Sequence, residues 1–417
     1  MNSQRAARLV LLSASSLLFS QAIYAQAIAY PMVPKSSVTP GTYRPHIWFA
    51  PNSANLVHDP GQPACNSSNH CYLAPADILN GYATNFIQNS NGGSGITIGI
   101  VDAFYNNQTA SDLASYSAYY GITGTGTLTI VGTSPTCGSA PSAVFNAGWA
   151  TETNLDVQMA HALAPNANIY LVTATDNSDV NLLAAVTCAV AHSNVVSNSY
   201  GGGEYAGETS GDGVYNSGVP VLFSSGDTGA VTESPCTDPY VTCVGGTNLL
   251  ETATSFRSVE SAWSGSGGGC SSQVTAPAFQ SGYSTSVCST ARGVPDIAAL
   301  ADPYTGVANY WGSNIGSSYS GPGMYCCIGG TSLATPLTAA LIANIDAARV
   351  AASKAVLGSN LNQLIYQAAA GAYYHYRFYD VTTGSSGFAA VAGWDRATGL
   401  GVPLSAALAS YLVNIVP

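Results

Sequence analysis

The chain has 417 residues, of which only 7% are charged, and its ten Lys and Arg stand against a net charge of −11. So few cations leave no basic patch to neutralise phosphates, which excludes nucleic acid as a partner. A surface built instead from Ser, Thr, Asn, Gly and Tyr changes little in charge when carboxylates protonate, a property suited to acidic surroundings.

At the N-terminus, Arg5 and Arg8 precede the apolar stretch 9–19, and small residues follow at Ala22, Ala25 and Ala27. That layout reads as a secretory signal peptide, residues 1–25. No later stretch is apolar enough to span a bilayer, so a secreted protein, extracellular or periplasmic, is expected. Ten cysteines agree with an oxidising compartment and read as disulfides rather than metal ligands. Cys65/Cys71, Cys236/Cys243 and Cys270/Cys288 each enclose a short loop rich in turn formers and are expected to pair locally. Cys137 with Cys188 is a longer-range candidate pair, and the partners of the adjacent Cys326 and Cys327 stay open.

Residues 26–71, rich in Pro, Asn and Ser, read as an extended arm with turns. Beyond them comes an alternation of strands and helices. Strands are expected at 96–103, 168–174, 194–200 and 219–227, and helices near 108–120, 151–164 and 178–192. Apolar strands separated by helices predict an α/β fold: a parallel sheet covered by helices on both faces, with functional residues at the carboxyl ends of the strands. The region 250–328 reads as loop-rich, with "SGSGGGCSS" (264–272) a flexible segment that could line a groove. No repeat or linker interrupts 72–417, which reads as one domain.

In the run 151–164, a plot at about 100° per residue puts Leu155, Met159 and Leu163 on a core-facing stripe. Glu152 and Asp156 fall on that stripe, and His161 points toward solvent. Two carboxylates one turn apart on a buried face cannot both ionise cheaply, so they are expected to share a proton. Compensation of the helix dipole is the other reading. "FSSGDTG" places Asp227 just after a strand, where a neutral carboxyl could donate to a developing oxyanion or serve as a plain turn residue.

"GGTSLATP" (329–336) leaves two roles open for Ser332: a nucleophile, or the cap of a helix with Pro336 in its first turn. A nucleophilic serine needs a base, a group orienting that base, and an oxyanion donor. His161 faces the wrong way, and His46, His58, His70, His192 and His375 sit in no recognisable catalytic context. Glu152 is therefore the candidate base and Asp156 its orienter.

The constellation Glu152-x-x-x-Asp156, Ser225-Gly226-Asp227 and Gly330-Thr331-Ser332-x-x-x-Pro336 resembles the sedolisin family, serine-carboxyl peptidases with a subtilisin-like fold. "LAPADILNGY", "ALAPNANIYLV", "SVESAWSGSGGGCS" and "ARGVPDIAALADPYTGV" extend the resemblance over 72–417. It implies that Ser332 is the nucleophile, Glu152 the general base and acid, Asp156 its hydrogen-bonded partner and Asp227 the oxyanion residue. Asp102, ending the first strand, stands where relatives often have an acid that extends this network. The implied function is secreted endopeptidase action on proteins or peptides at acidic pH, by a monomer.

"DVTTGSSGFAAVAGWDRATGLGVP" is similar to the family's calcium site. The resemblance implies one structural Ca²⁺ held by the carboxylates of Asp380 and Asp395 and the carbonyls of Val381, Val391 and Gly393, a hard-oxygen set. One departure is the short stretch, under fifty residues, between the expected signal cleavage and "CYLAPADIL", where family precursors usually carry a folded prodomain. Either the subgroup dispenses with the prodomain, or the Pro-rich arm does a reduced version of its job. Two competing readings are a catalytically idle relative that binds peptides or cell-wall material, and a subtilisin-type Ser/His/Asp enzyme.

Overall fold

A computed structural model describes residues 42–49, 73–83, 91–142, 144–252, 255–312 and 322–416. The signal peptide, most of the arm and the Cys65/Cys71 pair lie outside these residues. Chain order begins with β1 (Arg44–Pro45) and β2 (Trp48–Phe49), then β3 (Thr97–Ala103), α1 (Thr109–Tyr120), β4 (Leu128–Gly132), α2 (Ala147–Leu163), β5 (Asn168–Ala174) and α3 (Asp179–Val190). Next come β6 (Val195–Asn198), β7 (Tyr200–Gly203), β8 (Val221–Ser224), β9 (Glu233–Ser234), β10 (Val241–Thr252) and β11 (Ser255–Ala262). The last strands that position the site are β12 (Gly269–Thr275), β13 (Ala291–Val294), β14 (Ile297–Leu300), β15 (Val307–Trp311) and β16 (Gly323–Gly329), followed by α4 (Thr331–Ala351).

The central sheet has eight strands in the order β11-β10-β8-β6-β3-β5-β4, with β14 also on β10. Every pairing in it is parallel except β10 with β11. Side chains alternate between two apolar layers, as a sheet covered on both faces requires. Ile98 and Ile100 join the layer under α2 and α4, whereas Val101 and Ala103 join Leu182, Ala185 and Val186 of α3. Parallel strands aim their carboxyl ends at one edge, and the candidate residues gather there.

Several expectations change. The region 250–328 carries six strands, β11 to β16, with β11 paired to β10 and β15 to β16. Its glycine run is packed, not flexible: a Cβ on Gly267 would lie 2.0 Å from the Ser225 carbonyl oxygen, and one on Gly268 1.9 Å from that of Arg396. The stretch read as one strand over 194–200 splits into β6 and β7, leaving Ser199 between them. β4 was not anticipated. Helix α2 is buried from Trp149 to Leu163, so its polar stripe marks no solvent face. His161 is accordingly buried at 9% exposure rather than solvent-facing, and burial pulls its pKa down. Disulfides join Cys137–Cys188, Cys236–Cys243 and Cys270–Cys288, as expected.

Candidate active site

Ser332 is the second residue of α4, and its surroundings follow from the need to satisfy the free N–H groups of a helix start. The cap position belongs to Gly330, which has no side chain to offer these groups. The cap role left open for Ser332 is thereby excluded. Asp227 Oδ1 instead accepts the Thr331 N–H (2.8 Å) and the Thr331 hydroxyl (2.9 Å), and the Ser332 N–H donates to the His46 carbonyl at 3.0 Å. Gly330 sits at φ 103°, and a Cβ there would lie 2.0 Å from that carbonyl oxygen and 2.6 Å from Asp227 Oδ2. The glycine thus opens a space shared by a peptide carbonyl and the unbonded oxygen of Asp227.

Pro336 lies in the second turn of α4 rather than the first. It has no N–H for the Ser332 carbonyl four residues back. Ser199 Oγ approaches that carbonyl at 3.4 Å and Asp156 Oδ1 at 2.8 Å, while the Ser332 hydroxyl donates to the Ser199 carbonyl at 3.2 Å. Ser199 thereby links the serine of α4 to the carboxylate of α2. Sequence reading missed it; the only signal was its place at the carboxyl end of a strand.

Glu152, Asp156, Asp102 and Asp227 are each at most 2% exposed. Both oxygens of Glu152 and of Asp102, with Asp156 Oδ2 and Asp227 Oδ2, meet no hydrogen-bond partner among the described residues. Glu152 and Asp156 are neighbours on α2, one turn apart in a fully buried setting. Their coupling is electrostatic. Burial raises the pKa of Glu152 well above normal, and the charges of Asp156, Asp102 and Asp227 raise it further, against a smaller lowering by the Ser332 hydroxyl. Burial likewise raises Asp156, with Asp102 adding to it, and takes Asp102 itself to about 7. Asp227 is pushed by burial to about 8, despite the opposing Thr331 donors. Orphaned carboxylate oxygens in a dry interior are tolerable when they carry protons, the state toward which burial shifts all four groups.

With this geometry in view, the comparisons with known proteins are specific. The model of the Subtilase family matches residues 143–401. Kumamolisin from Bacillus sp. is 31% identical over 301 residues, covering 63% of this chain and 50% of its own length. The chain belongs to the subtilase family and, within it, to the sedolisins. Human tripeptidyl-peptidase 1 is 29% identical over 236 residues, 47% of this chain and 38% of the relative. The sedolisin chain thus spans half or less of the length of these curated relatives. Pseudomonas sedolisin, solved with two molecules of pseudo-iodotyrostatin, has the same fold: TM-score 0.66 at 24% identity, over 82% of this chain and 98% of that one.

In this sedolisin, no histidine ring among the described residues hydrogen-bonds to Ser332. His161 makes no hydrogen bond among the described residues, and the buried ring of His46 lies between Ser224 Oγ (Nδ1, 2.6 Å) and Glu233 Oε2 (Nε2, 2.9 Å). The rejection of the His46 ring as base agrees with this placement, and His46 enters the site by its backbone alone. Nothing in the aperiodic arm announced that, because the placement depends on contacts formed only in the fold.

Four of the five candidate calcium residues form two hydrogen-bonded pairs. Asp380 accepts the Gly393 N–H at 3.1 Å, and Asp395 Oδ2 the Val391 N–H at 2.9 Å. Asp395 Oδ1 takes the N–H groups of Ala397 and Thr398, both at 2.8 Å. Two carboxylates folded around one turn suit a hard cation in chemistry, though N–H groups already hold these oxygens.

Proposed function

We propose that this sedolisin is a secreted serine-carboxyl endopeptidase that hydrolyses proteins or peptides at acidic pH. The observation that carries the reading is Ser332 at a helix start beside buried carboxyls whose pKa values burial raises, with no imidazole among the described residues hydrogen-bonded to its hydroxyl. Glu152 takes the Ser332 proton as Oγ attacks a peptide carbonyl, and Asp156, positioned through Ser199, holds the shared charge. The Ser332 N–H and protonated Asp227 stabilise the tetrahedral oxyanion. Glu152 then protonates the leaving amine, and water hydrolyses the acyl-enzyme.

The disulfides and the family support export, and no described helix is long and apolar enough to cross a membrane. We expect a monomer. The test is hydrolysis of a denatured protein from pH 2 to 8. A bell with its maximum below neutral is expected, because Asp227 and one of the coupled carboxyls must keep a proton while Glu152 must be able to accept one. A maximum above neutral points to Ser/His/Asp chemistry, and no cleavage by the folded protein favours the idle peptide binder.

We also propose that Asp380 and Asp395, with the carbonyls of Val381, Val391 and Gly393, hold one Ca²⁺ whose role is to tie these loops together. An ion bound only by the folded state stabilises it by mass action, so chelation is expected to lower Tm by roughly several degrees. An unchanged melting curve in chelator removes the metal from this account.

A further inference from the structure

Strand β16 carries a bulge just before the active serine. Its pairing with β15 sets Ile328 against Val307 and Tyr325 against Asn309, so Cys326 and Cys327 together oppose the single residue Ala308. Cys327 takes φ 67°, a left-handed conformation that residues with a Cβ rarely adopt. In a regular strand two neighbouring residues point to opposite faces. Here the extra residue and the positive φ bring the two side chains together: their thiols hydrogen-bond to each other. With Ala308 they form a small buried cluster, edged by Met324.

Beyond the bulge the chain has no slack. A Cβ on Gly329 would lie 2.1 Å from the Ala301 carbonyl oxygen, which also accepts the Gly330 N–H at 2.6 Å. Gly330 in turn opens the space over Asp227, and Ser332 follows two residues later. The bulge therefore sets where β16 delivers the start of α4. A residue with a side chain persists at positive φ only where its surroundings over-determine it. The neighbouring strands β15 and β2 supply part of that constraint. The chemistry of the pair supplies the rest. Six of the eight cysteines among the described residues are joined in disulfides, so the chain folds where such bonds form. Cys326 and Cys327 remain thiols in this structure, held side by side.

We infer that Cys326 and Cys327 are a redox site: they close into a disulfide across a single peptide bond, and the ring holds the bulge that positions Gly330 and Ser332. The oxidant is a small disulfide of the glutathione type. One cysteine thiolate attacks it, forming a mixed disulfide and releasing one thiol. The neighbouring thiolate then attacks the cysteine sulfur of that mixed disulfide and releases the second thiol. Two electrons pass from the cysteine pair to the oxidant, whose two thiols carry away both protons. The exchange belongs to the folding chain, because in the folded one both cysteines are at most 1% exposed. Their mutual hydrogen bond, with burial, also pushes the Cys327 thiol pKa up. Exchange runs through thiolates, so the bond, once sealed, stays closed. Both cysteines are positioning residues, acting on Ser332 through Gly330.

The test folds the full chain in a mixture of oxidised and reduced glutathione, denatures it in iodoacetamide without reductant, and digests it with trypsin. The peptide 293–349, between Arg292 and the cut after Arg349, holds Cys326 and Cys327 and no other cysteine. It is expected to be unalkylated and lighter by two hydrogens than the dithiol, and to take two alkyl groups after reduction. Two alkyl groups without reduction, or a link to the peptide of Cys65 or Cys71, overturns the inference. This reading on the wild type needs neither activity nor a variant that folds. The kinetic half rests on the serine-carboxyl reading above. Cys326→Ala and Cys326→Ser both remove the ring, and each is expected to lower kcat by on the order of tenfold with KM little changed, read well below its own Tm. An equal fall in the two variants, whatever their Tm, assigns it to positioning rather than to lost packing. An unchanged kcat in a folded variant removes the link from the bulge to Ser332. A folded wild type that digests nothing defeats the serine-carboxyl reading, and the mass of the peptide still decides the bond.

Discussion

Ser332→Ala and Glu152→Gln are each expected to lower kcat by a similar factor, on the order of 10⁴, or about 5.5 kcal/mol of transition-state stabilisation. The double variant is expected to lose no more than either single one. A hydroxyl without its base and a base without its hydroxyl are equally idle, so groups acting as one unit are strongly non-additive. Both side chains are fully buried, so Gln, which matches Glu in shape, is the substitution that preserves packing. The measurement is single-turnover hydrolysis of a denatured protein by wild type, both single variants and the double. If Glu152→Gln retains near wild-type kcat, another group takes the serine proton, and the role assigned to α2 fails.

How legible this site was depended on whether local or long-range contacts built it. Strand and helix periodicities placed β3, β5 and α1 closely, because an apolar strand between turns leaves its mark on neighbouring residues. Glu152 and Asp156 were found through their spacing, but the face argument used for them did not discriminate. Helix α2 is buried on all sides, so a stripe plot returns an inner face whichever way it is drawn. The same plot misplaced His161. Ser199 and the His46 backbone were missed because their places in the site arise from pairings more than 130 residues apart, such as the 133 between Ser199 and Ser332. The strands of 250–328 were hidden by glycines, which there mark close backbone approach rather than freedom.

The oxyanion role proposed for Asp227 can be split between two kinds of donor. Its Oδ1 is fixed by Thr331, and burial keeps the proton on the group up to about pH 8. Below that value the carboxyl donates; above it the donor is lost and a negative charge faces the developing oxyanion. Asp227→Ala removes the donor at every pH and is expected to cost about 10²–10³ in kcat. Asp227→Asn keeps an acceptor for Thr331 and replaces the titrating O–H by an amide N–H that never ionises. Its loss of rate is expected to be much smaller than that of the alanine variant, with the alkaline limb of the pH profile moved upward. The measurement is kcat/KM against pH for the three proteins. An Asn variant as slow as the Ala variant denies Asp227 the donor role. An Asn variant that is active but keeps the wild-type alkaline limb assigns that limb to the Glu152, Asp156 and Asp102 cluster, whose shared proton is then the one lost first.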